Sequence, residues 1–197
     1  MGYPNAFPEE VIGSPFDIWV AIAGTARPLL SASPAADWVQ LGTRGKYSLG
    51  EEGVKVNSPA SYNYFRSFGS AAPIKAFRSE EDVMVQVSMA DLTPEVLANA
   101  FNQLATDVTE SGFKRTLNLS RGLSVLTAAV LMRGPSPFMD GGTAQFWIPN
   151  AANVSSPEIA VRRDNATIYS LEWRAVFYAA ATAGEEMGVY EVELPST

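Results

Sequence analysis

The chain contains no cysteine and no histidine among its 197 residues. The first absence removes disulfides and thiol nucleophiles, so the fold must stand without cross-links. The second removes the imidazole base of Ser-His-Asp and Cys-His systems. Together they remove the usual ligands of a zinc site. Charge is scarce too: 18% of residues are charged, against roughly 25% in an average soluble protein. The balance is acidic, at −7, which argues against a tight clamp on DNA phosphates. No Gly-Lys-Ser or Gly-Lys-Thr occurs, so the phosphate-binding loop of nucleotide enzymes is missing.

Long apolar runs are also lacking. The longest, residues 18–23 and 123–132, fall well short of the roughly 18 residues that read as a membrane span. The N-terminus, Met1-Gly2-Tyr3-Pro4-Asn5, has neither the basic nor the apolar region of a signal peptide, so the expected location is the cytoplasm. Low charge also has a positive meaning. Interface cores are depleted of charged residues, and a subunit covered by other chains needs fewer of them.

What is present reads mainly as strands. In residues 82–89, Val83, Val85, Val87 and Met89 alternate with Met84, Gln86 and Ser88, giving one buried and one mostly polar face. In residues 167–177, Tyr169, Leu171, Trp173 and Phe177 oppose Ser170, Glu172 and Arg174. Gly184-Glu185-Glu186-Met187-Gly188 then turns into a last strand over 189–194, and the two strands are expected to form a C-terminal hairpin with an acid-bearing face. Residues 123–132 are apolar on both faces and suit a central strand. Residues 16–24, 144–148 and 159–163 are further strand candidates, with Arg163-Asp164-Asn165 as a turn. One helix is expected after Thr93-Pro94-Glu95, with Thr93 as N-cap and Val96, Leu97, Ala100, Phe101 and Leu104 on one stripe. It should end near residues 106–109. Length and pattern suit one domain, a β-sandwich or barrel with one packed helix.

The candidate sites are few. Glu51-Glu52, Glu80-Glu81-Asp82 and Glu185-Glu186 lack calcium-loop spacing and read as solvated turns. Nothing places two acids across a cleft, as glycoside hydrolysis needs. The sequons at Asn118, Asn153 and Asn165 read as chance. Residues 42–66 show no clean period, and a segment of that length is usually functional or ordered by a partner. The aromatic cluster Tyr62, Tyr64, Phe65 and Phe68, with Arg66, reads as core or protein–protein interface, where those residue types are enriched.

An ordered set of segments carries a resemblance. It runs from Asp37-Trp38-Val39-Gln40-Leu41-Gly42 through Gly53-Val54-Lys55-Val56 to Pro73-Ile74-Lys75-Ala76-Phe77-Arg78-Ser79-Glu80-Glu81-Asp82. It closes with Met89-Ala90-Asp91-Leu92-Thr93-Pro94-Glu95-Val96-Leu97 and a β-rich C-terminal half. The order resembles the major tail tube proteins of long-tailed bacteriophages, most of all the non-contractile, siphovirus type, over most of the chain. Residues 62–68 and 134–142 map onto no pattern of that family.

The resemblance implies a two-sheet β-sandwich or partial barrel with one flanking helix, a single tail tube domain over residues 1–197. It implies hexameric rings stacked into a tube in the virion tail, assembled in the host bacterial cytoplasm. Phage DNA would transit the lumen without specific binding. The other implied partners are the tape measure protein, the tail terminator and the tail tip or baseplate proteins. No catalytic residue, cofactor, metal or membrane segment is implied. The long loop after the first strands, residues 43–58, would reach the adjacent ring through Lys46, Tyr47, Leu49, Glu51, Glu52 and Lys55. Tyr62, Tyr64, Phe65, Arg66 and Phe68 are the subunit-interface candidates. An acidic or neutral wall lets DNA slide, so the lumen candidates are Gln86, Ser88, Ser170, Glu172, Arg174, Glu191 and Glu193. Arg174 is expected to pair with an acid across a strand or subunit boundary. The alternatives are another virion component, such as a tail terminator or capsid decoration protein, and a carbohydrate-binding β-sandwich module.

Overall fold

The computed structural model describes residues 16–69, 71–103, 107–119, 122–138, 141–159 and 167–194. The chain is mainly β, with antiparallel strands arranged as a sandwich and one α-helix among the described residues. The strands are β1 (Asp17–Ile22), β2 (Val39–Gln40), β3 (Leu49–Asn57), β4 (Ala60–Phe65), β5 (Lys75–Glu81) and β6 (Met84–Met89). After helix α1 (Pro94–Ala100) come β7 (Thr109–Ser111), β8 (Lys114–Thr116), β9 (Thr127–Pro135), β10 (Thr143–Asn153), β11 (Tyr169–Ala175) and β12 (Val189–Val192).

Strand β10 is the pivot. Along one edge it pairs with β9 throughout, and the register slips between Ile148 and Ala151. Pro149 lies in that slip, where a residue without an N–H is tolerated. Beyond it the partners on the other edge differ: Ala144–Trp147 pair with β12, whereas Ala151–Asn153 pair with β11. The main sheet therefore runs β2-β1-β9-β10-β11-β6-β3, with β12 branching from β10.

The main core draws on both branches. Ile18, Val20, Val130, Met132, Ala144 and Ile148 meet Val85, Val87, Met89, Leu171 and Trp173, and Val96 and Ala100 of α1 join them. Full burial of such a side chain stabilises by about 1.5–3 kcal/mol. A smaller cluster of Trp38, Ala129, Leu131 and Trp147 lies with Trp19, Ala21 and Val189. Alternate residues of β9 thus feed two clusters, which explains its run of apolar residues on both faces.

Several expectations need correction. The last two strands do not form a hairpin with each other: β11 pairs with β6, and β12 pairs with β10. Alternation defines faces and not partners, and here the Phe146 and Tyr190 rings, 4.5 Å apart, hold β12 to β10. The entrance to β12 requires glycine. Gly188 has φ +138, and a Cβ there would stand 2.9 Å from the Trp147 carbonyl oxygen.

Residues 43–58 are not a projecting loop. They form a short 3-10 helix, Gly45–Ser48, and then β3, which pairs with β6. The shift in register between Leu49 and Val54 breaks the alternation there. The first four residues of the strand expected over 123–132, residues 123–126, precede β9, and Leu123 is fully exposed. Ile159 lies outside any strand, and the proposed turn at 163–165 lies outside the described residues, as does Leu104 of the helical stripe.

Helix α1 is shorter than expected. Asn102 takes a left-handed φ of 56, its side chain accepts the Leu126 N–H at 2.8 Å and donates to the Ser124 carbonyl at 2.8 Å. This stops the helix in the way asparagine often does. Thr93 sits at the N-cap without a side-chain cap bond. Asp91 supplies the acceptor instead, taking the Thr93 N–H at 2.9 Å.

Candidate assembly surfaces

The arm is the first surface. Past Asn57, β3 continues into β4, and β5 returns into β6. The arm is β4 with β5, which form a separate two-stranded sheet. Register places Tyr62 opposite Arg78 and Tyr64 opposite Ala76 on one face, with Asn63 opposite Phe77 and Phe65 opposite Lys75 on the other. The turn is closed by the Ile74 N–H to the Phe65 carbonyl at 2.9 Å and by Arg66 donating to the Ala71 carbonyl at 2.9 Å. Lys75 stands 4.9 Å over the Phe77 ring.

Among the described residues nothing covers this ribbon. Every residue of β5 is exposed, and so is every residue of β4 after Ala60. Tyr62, Tyr64 and Phe65 are half exposed, and Phe68 is fully so. A lone two-stranded hairpin is marginal in water, and a ribbon that is apolar on both faces gains from being covered. At about 25 cal/mol per Å², burying about 100 Å² of one such ring stabilises by roughly 2.5 kcal/mol. The interface candidates Tyr62, Tyr64, Phe65, Arg66 and Phe68 are therefore brought together on one exposed projection. Phe113 at the β7–β8 turn is also exposed, as are Leu119, Leu123 and Val125 further along the chain.

The inter-ring candidates are divided. Tyr47 is exposed, with Arg44 and Lys46 each 5.8 Å from its ring. Leu49 packs on the main core. Glu51 and Glu52 are exposed on β3. Lys55 bonds Glu52 at 2.5 Å, and that hydrogen bond and charge hold the Glu52 carboxyl below its ordinary range.

The lumen candidates form two groups. Register on β6 and β11 places Ser88 beside Ser170, Gln86 beside Glu172, and Met84 beside Arg174. This is the face turned away from the main core, and Gln86 donates to Glu172 at 3.3 Å. Ser88 is buried there, so it does not present itself as a wall residue. Arg174 pairs with Asp82 within the chain, through Nε at 2.8 Å and through Nη2. That hydrogen bond and charge raise the Arg174 pKa further.

Glu191 and Glu193 lie apart, on and just after β12, and both are engaged. Glu191 accepts from Gln145 Nε2 at 2.7 Å and pairs with Arg27 at 3.1 Å. Glu193 accepts the Thr143 N–H at 2.6 Å. Behind them lies a network that the sequence did not announce. Arg133 donates to the fully buried Gln145 Oε1 through Nε at 3.1 Å and Nη2 at 2.6 Å, and to the Leu29 carbonyl at 2.9 Å. Gln145 Nε2 also donates to the Pro28 carbonyl at 2.9 Å. Burial lowers the Arg133 pKa, while the charges of Glu193 and Glu191 act the other way. The network straps residues 28–32 across the sheet.

Asp91 is a second strap. It accepts from the Thr43 N–H at 2.7 Å, the Thr43 hydroxyl at 2.8 Å and the Ser48 hydroxyl at 3.3 Å. Burial pushes its pKa up, but these bonds and the Thr93 N–H outweigh burial and hold it below the ordinary value.

Among the described residues no group of three His, Cys, Asp or Glu side chains could hold a metal ion. Among them, too, no helix is long and apolar enough to cross a membrane. In comparisons with known proteins, no family model and no curated protein sequence matches the chain.

Proposed function

We propose that this chain is a structural, non-enzymatic virion protein, the subunit of a phage tail tube. Copies would assemble as stacked hexameric rings around a lumen that conducts DNA, with tape measure, terminator and tail tip or baseplate proteins as partners. The observation that carries the reading is the exposed aromatic arm, Tyr62 to Phe77, projecting from a β-sandwich. Such a ribbon gains stability when it is covered, and exposed apolar patches of this kind mark interaction surfaces. The ordered motifs that resemble tail tube proteins supply the rest, and with them the role of the Gln86–Glu172 face as a candidate lumen wall. Low charge density supports extensive burial between copies.

Negative-stain microscopy of the purified chain tests the reading. Stacked rings or tubes are expected; isolated trimers or single rings point to a decoration or terminator protein. The paired tyrosines on one face of the arm, Tyr62 and Tyr64, favour a second reading, a carbohydrate-binding module. Glycan binding that is lost on replacing those tyrosines, in a chain that never polymerises, selects it.

A further inference from the structure

The distal part of the arm differs in charge from the rest of the chain. Between positions 62 and 78 lie Arg66, Lys75 and Arg78 and no acid, in a protein of net charge −7, and Arg78 is paired with Glu81 nearer the base of the arm at 3.2 Å. The same stretch exposes Tyr62, Phe65, Phe68 and Phe77. Its complement has to be acidic and apolar at once.

The chain carries such a surface at the open side of its own sandwich. Among the described residues β3 pairs only with β6, and β12 only with β10, so each strand has a free edge. Both edges border a slot of about 470 Å³, lined by Val56, Val83, Met132, Phe146, Ile148 and Tyr190. That volume falls within the roughly 300–1,000 Å³ of ligand-sized pockets. Met132 and Ile148 belong to the main core, so the slot reaches the interior. Glu186 also lines it, as does Glu81, which pairs with Arg78 of its own chain at 3.2 Å, and no Lys or Arg is among the lining residues.

We propose that this slot receives the arm tip of a second copy: Phe68 enters between the free edges, and Arg66 and Lys75 meet Glu186. The proposal rests on the chain being a self-assembling subunit and names the acceptor on that subunit. A chain's own tip is out of reach. The arm starts at the rim of its own slot, at Ser58 and Glu81. The β5 strand, Lys75–Glu81, at about 3.3 Å per residue, carries the tip roughly 20 Å away. The chain's own residues 1–15 fit the charge less well, because they carry Glu9 and Glu10 and no base. Arm into slot is a head-to-tail contact, which propagates from copy to copy as a ring or a stack.

The test uses the full chain with a photoreactive benzoylphenylalanine at position 68, as an equal mixture of light and nitrogen-15-labelled copies. The expected product joins position 68 of one isotopic form to the peptide holding Met187 and Tyr190 of the other. Glu186→Arg should cut that product at least about tenfold, the loss of one charge-assisted contact. Adding Arg66→Glu and Lys75→Glu to the Glu186→Arg chain should restore it, which a merely misfolded variant would not do. Mixed-isotope cross-links to other surfaces overturn the slot while leaving self-assembly standing. Cross-links to co-purified nucleic acid in place of the slot overturn it as well, as does a slot found cross-linked to residues 1–15. A monomer without mixed-isotope products overturns both the slot and the proposed function.

Discussion

Replacing Gln145 by leucine strikes the buried network at its centre. The substitution keeps the volume but removes an acceptor and two donors. Arg133 loses two hydrogen bonds, at 3.1 and 2.6 Å, and keeps the carbonyls of Leu29 and Ala32. Glu191 loses one donor and keeps Arg27, while the Pro28 carbonyl loses the amide. A bond to a charged group contributes about 1.5–3 kcal/mol, and an orphaned buried polar group costs about 1–3 kcal/mol. Allowing for the partners that Arg133 and Glu191 retain, Gln145→Leu should destabilise by about 3–4 kcal/mol. At a urea dependence of about 2 kcal/mol per M, the unfolding midpoint falls by roughly 1.5–2 M. Fluorescence of the buried Trp147 and Trp173 reports it. Arg133→Met combined with Gln145→Leu strands no charge, so the double variant should recover at least about 1 kcal/mol relative to the sum of the singles. A midpoint shift under about 0.5 M for Gln145→Leu, or strict additivity in the cycle, would refute the reasoning.

Two other substitutions follow from the straps and the strand branch. The Asp91 pKa is depressed in the folded chain, so its contribution is present above the ordinary carboxylate range near 4 and lost as pH falls through the folded value. Asp91→Asn should therefore cost about 1 kcal/mol at neutral pH, and thermal melts of variant and parent should converge in acid. Equal melting at neutral pH would count against the strap. Gly188→Ala meets both a left-handed φ and the Trp147 carbonyl, so it should cost about 1–3 kcal/mol; an unchanged melt would show that β12 can shift to admit a Cβ.

The fold was legible where a strand has one face in the core. β6 and β11 alternate cleanly because Val85, Val87, Leu171 and Trp173 are buried while Gln86 and Glu172 face away. The arm was not legible as strands because no residue of β5 is buried and no periodicity is imposed on it. Its aromatic cluster was nevertheless visible as composition. The hairpin expected at the C-terminus failed because two well-formed strands near one another need not pair. The β10 slip at Pro149 decides their partners, and only its local residues are visible in sequence. The Arg133–Gln145 network had a faint signal, a polar residue inside each of two apolar strands. Their being opposite one another depends on register, which composition does not contain.

The central claim is that the arm exists to be covered by another copy. The most direct measurement compares the full chain with one in which a short turn joins Ser58 to Asp82 in place of residues 59–81. Those two residues already share a hydrogen bond at 3.0 Å, so β3 and β6 keep their pairing and the core is untouched. Electron microscopy and sedimentation of both chains should show stacked rings or tubes for the full chain and a folded monomer, still with a β spectrum and a cooperative melt, for the shortened one. Tubes from the armless chain, or a full-length chain that stays monomeric at high concentration, would contradict it.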